Sequence, residues 1–265
     1  MFARLPLPVT IAVLGILAAA VIAVTLSVGY RWSIGSFASV DASAADYAQE
    51  LEGQLCQLGA AVTEYSATND AQHFYTSLSE TFLENRKTFT ESRHYIESVK
   101  AETEANTTEG YAASRKVEML WEATNATEGV IGSAYSWADR LRKSPGEAYF
   151  GGDWANAAME SELLVLLMGV NSGGKACARS SPSPALMADI SRAREHVAES
   201  IRRRMKDYRN RAVMRAGRLA ADPQTTPEAR QAATEDLEFR DRILSADYDG
   251  LSRKAAMRLF GVIPD

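Results

Sequence analysis

The stretch YTSLSETFLENRKTFTESRHYIESV (Tyr75–Val99) repeats apolar residues at alternating steps of three and four. This spacing places them on one face of an α-helix, as the a and d positions of a heptad repeat. Such a face packs against another helix, so the stretch predicts a helical bundle with coiled-coil-like seams. The seam positions are Tyr75, Leu78, Phe82, Asn85, Phe89, Ser92, Ile96 and Val99.

Helical spacing continues on both sides of this stretch. An earlier helix is predicted near residues 46–65, with Leu51, Leu55, Leu58 and Val62 on its buried face. A later helix, about 111–143, repeats the heptad pattern, and its Gly129 and Gly132 suggest close approach of another backbone. Its seam positions are Val117, Leu120, Thr124, Thr127, Ile131, Ala134, Ala138 and Leu141.

The second half of the chain also reads as helix. A short helix is predicted from Asp153, and a long helix from Pro184 to about Ala221. A last helix begins near Pro227, and Gly250 is expected to end it before a short amphipathic tail. Because no alternating strand pattern is found, the predicted fold class is all-α.

The N-terminal region carries a long apolar run. Residues 5–30 include no charged side chain, and about 20 apolar residues suffice for a helix to cross a bilayer. Secretory signal peptides have shorter apolar regions, of about 7–15 residues, followed closely by a cleavage site. We therefore predict a single transmembrane anchor helix at 8–30, with a short tail at 1–7, a linker at 31–44 and a helical domain at 45–265.

The orientation of this anchor is predicted from its flanking charges. The amino terminus and Arg4 precede the run, and only Arg31 closely follows it. Basic residues favour the cytoplasmic side. The expected location is the cell membrane, single-pass, with residues 1–7 cytoplasmic and the helical domain extracytoplasmic.

Two cysteines, Cys56 and Cys177, lie in the predicted helical domain. An even count in an extracytoplasmic domain favours a disulfide, because that environment is oxidising. The alternative is a pair of unrelated buried thiols.

The stretch LLVLLMGVNSGGKACARSSPSP (Leu163–Pro184) resembles a phosphate-binding loop in its letters. Gly169, Gly174 and Lys175 match the spacing, but Ala176 stands where a Ser or Thr would bind magnesium. Neither a preceding strand nor an immediately following helix is expected. We predict no nucleotide site, and interpret the stretch as a flexible connection between two helices.

Other chemistry-bearing patterns are sparse. Glu91 and His94 form one Glu-x-x-His pair, but a di-iron bundle needs two such pairs, and His73 and His196 do not supply the second. No nucleophile motif is present. The sequence thus predicts no catalytic residue, no metal ligand and no cofactor. With a net charge of −5, nucleic acid is not an expected partner either.

Basic residues concentrate in the long predicted helix. They are expected to meet anionic lipid or an acidic partner, or to pair with the chain's own acidic segments at 41–110 and 228–249. We favour pairing within the chain, because several of these arginines lie beside the apolar side of the predicted helix, and buried charges require partners. The possible interaction patch comprises Arg202, Arg203, Arg204, Lys206, Arg209 and Arg211.

These features predict a non-enzymatic, membrane-anchored accessory or scaffolding subunit of a larger bacterial membrane complex, of respiratory, secretion or cell-envelope type. Other membrane-protein subunits are the expected partners. The bacterial assignment rests on the excess of Arg over Lys, 22 against 7. The alternative is an extracytoplasmic helical sensor or ligand-binding module that acts through a partner protein.

Overall fold

The computed structural model describes residues 43–103, 108–144, 153–170 and 175–263. Within these ranges the chain forms seven α-helices and no strand, which confirms the predicted all-α fold and helical bundle. Helix α1 is described at residues 43–68, so it extends into the predicted linker. The others are α2 (Ala71–Thr103), α3 (Thr108–Lys143), α4 (Asp153–Leu167), α5 (Pro184–Ala221), α6 (Pro227–Leu244) and α7 (Tyr248–Phe260).

Helices α2 and α3 form an antiparallel pair along the predicted heptad seam. Near one end, the rings of Phe82 and Tyr135 stack with centroids 5.1 Å apart. Further along, the hydroxyl oxygens of Ser92 and Thr124 lie 3.0 Å apart in a buried hydrogen bond. Two polar seam positions therefore satisfy each other across the interface, which fixes the register of the pair. The side chain of Asn85 lies outside the described residues.

Helix α1 buries one face against the bundle and exposes the other. Leu51, Leu55 and Leu58 are fully buried, as the sequence predicted. Its C-terminal end holds the start of α5, because the backbone N–H of Ser183 donates to the Ser66 hydroxyl over 3.1 Å.

The close backbone approach in this bundle occurs at Gly59 of α1. A Cβ atom there would lie 3.0 Å from the carbonyl carbon of Leu259 in α7, a distance that real Cβ atoms avoid. The prediction for Gly129 and Gly132 was wrong, because a Cβ at either position would meet no atom within 4 Å. Helices α1 and α7 touch backbone to backbone only because residue 59 lacks a side chain.

Helix α4 is buried on nearly all sides and packs against α3, α5 and α7. An all-round apolar helix belongs in the centre of a bundle rather than at its surface. Helices α6 and α7 then pack on α5. The core is consequently centred on α4, with the buried face of α1 and the longer helices around it.

The C-terminal boundary differs from the prediction. Helix α6 ends at Leu244, and Gly250 lies in the first turn of α7 rather than at a helix end. The Asp247 side chain caps α7 by accepting a hydrogen bond from the Gly250 N–H over 3.0 Å. A capping aspartate starts a helix, so the predicted tail is a seventh helix.

No helix in the described ranges is long and apolar enough to span a membrane. The predicted anchor at 8–30 and the tail at 1–7 lie outside those ranges.

Candidate functional site

The predicted disulfide between Cys56 and Cys177 is present. It joins α1 to the connection that precedes α5, across 121 residues of sequence. The same connection is tied to α7, because the Cys177 N–H donates to the Arg258 carbonyl over 2.7 Å. The segment around Cys177 is thereby fixed to two helices at once.

The glycine-lysine stretch connects two helices, as predicted. Its apolar lead-in, Leu163–Leu167, is the end of α4 rather than a strand. Gly169 has a φ of 83°, a left-handed conformation that suits glycine at a helix C-terminus. Lys175 is exposed, and the next helix begins only at Pro184. Residues 171–174 lie outside the described ranges.

Most of the predicted arginine patch on α5 pairs with acidic residues of this chain. The sequence predicted acidic partners in the segments 41–110 and 228–249. In the described structure one partner lies in α6, within the second segment, and the other partners on neighbouring helices lie in α3 and α4. The pairs are Arg204 to Glu160 at 3.2 Å, Arg209 to Asp241 at 2.6 Å, and Arg211 to Glu122 at 4.0 Å. Arg202 pairs with Glu199 within α5 at 3.1 Å.

Two members of the patch remain without an acidic partner. Arg203 and Lys206 are exposed, and neither forms an ion pair with any residue the structure describes. Of the six basic residues, three pair with other helices and one pairs within α5. The remaining two face solvent.

Arg240 of α6 is the centre of a buried charge network that the sequence analysis missed. Its side chain is 0% exposed. It pairs with Glu118 of α3 at 2.9 Å and with Asp236 at 3.1 Å, and donates to the Tyr208 carbonyl over 2.9 Å. Its guanidinium also lies 3.8 Å from the Tyr208 ring centre. The network ties α3, α5 and α6 into one unit.

A second buried network surrounds Arg258 of α7, next to the disulfide. Its guanidinium pairs with Glu52 of α1 at 2.9 Å and with Glu162 of α4 at 2.5 Å. It also donates to the Glu52 carbonyl over 3.2 Å. Two carboxylates thus share one arginine as their ion-pair partner, and Lys254 acts on Glu162 only from a greater distance.

Glu162 shows the consequence of this imbalance. Burial raises the pKa of Glu162, Arg258 lowers it and Glu52 raises it, and together these effects hold the pKa at about 7. Its Oε2 atom has no hydrogen-bond donor in the described part of the chain. A buried carboxyl group with one cation shared between two acids is held near the point where it becomes neutral.

We expect Glu162 to make stability fall as pH rises. Its pKa is about 4.5 when unfolded and about 7 when folded, so the folded state binds the extra proton. The stabilisation is complete below pH 4.5 and is lost as the pH passes 7, a change of about 3 kcal/mol. In Glu162→Gln this decline should disappear, because the amide cannot ionise.

Guanidinium unfolding of the full chain in an uncharged detergent, at acidic and mildly alkaline pH, measures this effect. The matched control is Glu160→Gln, which removes a less buried carboxylate from the same helix. That control should keep the pH dependence of the wild type. Parallel pH profiles for the wild type and Glu162→Gln would contradict the assignment.

The histidines do not meet in space. His73 lies 3.5 Å from Glu64 at an exposed position, and His94 and His196 are exposed on α2 and α5. No group of three potential metal ligands is found in the ranges that the structure describes.

Large apolar side chains are exposed on α3 and α5. Trp121 is 42% exposed, Val213 40% and Met214 60%. Trp121 and Met214 lie next to a seam of ion pairs in which Glu118 meets Arg215 at 3.1 Å and Glu122 meets Arg211. Val213 is two residues from both arginines and lies on the opposite side of α5. We refer to Trp121 and Met214 as the apolar face.

Trp121 and Met214 lie on the same side of that ion-pair seam. The pairing order shows that α3 and α5 are antiparallel here. Trp121 directly precedes Glu122, and Met214 directly precedes Arg215. Each apolar side chain is therefore rotated about its helix axis by about 100° from an ion-pairing residue, in the same sense along the chain. For antiparallel neighbours, equal turns bring both side chains to one side of the contact.

No protein-family model, curated protein sequence or solved structure matches this chain.

Proposed function

We propose that the chain is a non-enzymatic accessory or scaffolding subunit of a larger bacterial membrane complex, anchored through residues 8–30. The observation that carries the proposal is the apolar face. Tryptophan, methionine and arginine are enriched where proteins contact each other, and tryptophan and arginine supply much of the binding energy. On this face a tryptophan and a methionine lie beside paired arginines.

The surrounding bundle supports a docking role for the apolar face. Ion pairs across α3 and α5 and the Arg240 network hold its two helices in a fixed relation. A preorganised surface loses little conformational freedom when it binds, which favours association. The extracytoplasmic position of the bundle remains part of the proposal, and the disulfide supports it, since such bonds persist in oxidising compartments.

The partner is a second membrane-protein subunit with an apolar patch rimmed by acidic groups. Such a rim would meet Arg203 and Lys206, the two patch residues on α5 without ion-pair partners in the described structure. Complementary charge increases the rate and specificity of association more than the affinity itself. Apolar contact is therefore expected to decide stability of the complex.

Affinity purification of the full chain in mild detergent, with mass spectrometry of the proteins that accompany it, tests the proposal. The double variant Trp121→Ala with Met214→Ala should lose these partners while keeping its melting temperature, because both side chains are exposed. The control is Leu83→Ala, which removes an exposed apolar side chain from α2. Recovery of the same partners with the double variant, or of a partner-free wild-type chain, would contradict the docking role.

A further inference from the structure

A cleft of about 360 Å³ lies beside α7 and the residues that follow it. Among the described residues, its lining combines three basic side chains with two apolar ones and includes no acidic residue. Its volume falls within the range of small-ligand sites, about 300–1,000 Å³. The lining residues are Arg253, Lys254, Met257, Arg258 and Ile263.

The positive charge of the cleft exceeds what the bundle neutralises. Arg258 is buried and fixed by its pairs with Glu52 and Glu162. Arg253 and Lys254 are exposed, and neither forms an ion pair with another described residue. The cleft therefore has one immobilised guanidinium in its wall and two exposed cations. Lys254 also acts on the Glu162 carboxylate from a distance, and Arg253 remains as excess positive charge, which attracts an anion.

The apolar part of the cleft adjoins these cations. Lys254, Met257 and Arg258 share one face of α7, since they are three and four residues apart. Ile263, which follows the helix, is 61% exposed and supplies further apolar surface. A simple inorganic anion would leave this apolar surface in water, whereas an anion with an alkyl chain would cover it.

We propose that the cleft binds an anionic amphiphile, whose phosphate or carboxylate group contacts Arg253 and Lys254 while its alkyl chain packs on Met257 and Ile263. The site lies on other elements than the apolar face and does not depend on the docking role. Charge-assisted hydrogen bonds from the two cations orient the head group, and burial of methylene groups adds affinity.

Calorimetric titration of the full chain in an uncharged maltoside detergent tests this site, with hexyl phosphate and inorganic phosphate as probes. Hexyl phosphate should bind about tenfold more tightly than phosphate, because part of its chain leaves water. The double variant Arg253→Gln with Lys254→Gln should weaken hexyl phosphate about tenfold. Ile263→Ser should reduce the advantage of hexyl phosphate and leave phosphate binding unchanged.

The matched control is Arg203→Gln with Lys206→Gln, which removes two exposed cations of α5 and should leave binding unchanged. Equal weakening in both double variants, or no saturable binding of hexyl phosphate, would overturn the proposal. Dihexanoylphosphatidylglycerol, titrated in the same way, separates two sources of the ligand. Tighter binding than hexyl phosphate identifies a diacyl lipid, and weaker binding identifies a single-chain anion.

Discussion

Replacing Cys56 and Cys177 together by alanine should lower the free energy of unfolding by about 5 kcal/mol. The disulfide closes a loop of 121 residues, and the chain-entropy estimate grows with loop length. Without the bridge the unfolded chain gains the conformations that the bridge excluded. Because native domains are stable by only about 5–15 kcal/mol, this is the largest single effect we expect.

Guanidinium unfolding with and without a reductant measures this contribution. The wild type should lose stability when reduced, and the double alanine variant should not respond to reductant. The slope of the unfolding transition should also increase in the variant, since its unfolded state exposes more surface. Identical midpoints for oxidised and reduced wild type would show that the bridge does not contribute to stability.

Arg240→Leu should destabilise the fold by about 3–5 kcal/mol. The substitution removes a fully buried cation, so the buried Asp236 carboxylate loses its closest partner and keeps only the longer pair with Arg215 at 3.6 Å. An unpaired charge in a low-dielectric interior costs more than the original pair contributed. Thermal melting of the full chain in an uncharged detergent measures the effect.

Two further variants separate the network from the loss of a positive charge. Arg242→Leu removes an exposed arginine from the same helix and should change stability by no more than about 0.5 kcal/mol. Adding Asp236→Leu to Arg240→Leu should restore part of the loss, because α6 then holds no buried carboxylate that has lost its closest cation. Glu118 keeps its pair with Arg215 in that variant. Equal melting temperatures for Arg240→Leu and Arg242→Leu would contradict the role of the network.

The sequence predicted those features that depend on helix periodicity or on residues that begin or end a helix. The buried seams of α2 and α3 follow from heptad positions such as Phe89 and Ile131, both buried, whereas their antiparallel pairing with each other was not predicted. The bounds of α5 follow from its prolines. In each case neighbouring residues carry the signal, because helix periodicity is repeated every few positions.

The buried networks could not be found in this way. Glu118 and Arg240 are 122 residues apart, and Glu52 and Arg258 are 206 apart. A charged residue destined for the interior has the same letter as one at the surface, and only the packing of distant helices brings its partner into reach. Gly59 is similar, since a helix glycine reveals nothing about which backbone will approach it.

One feature was within reach of the sequence and was misjudged. Asp247 stands three residues before Gly250, in the position of a helix-capping residue. The sequence analysis places Gly250 at the end of the last helix, whereas the Asp247 cap shows that a further helix, α7, begins there. Helix α7 therefore escaped prediction, and with it Arg258 and the cleft.

The position of the disulfide has a mechanical consequence. If the chain is pulled between its first described helix and its last, tension passes from residue 56 through the sulfur atoms directly to residue 177. The intervening segment, which contains α2, α3 and α4, carries no load. A contour of roughly 400 Å is thus withheld from extension. A subunit tethered at one end and bound at the other would stretch only through α1 and the helices from α5 onward.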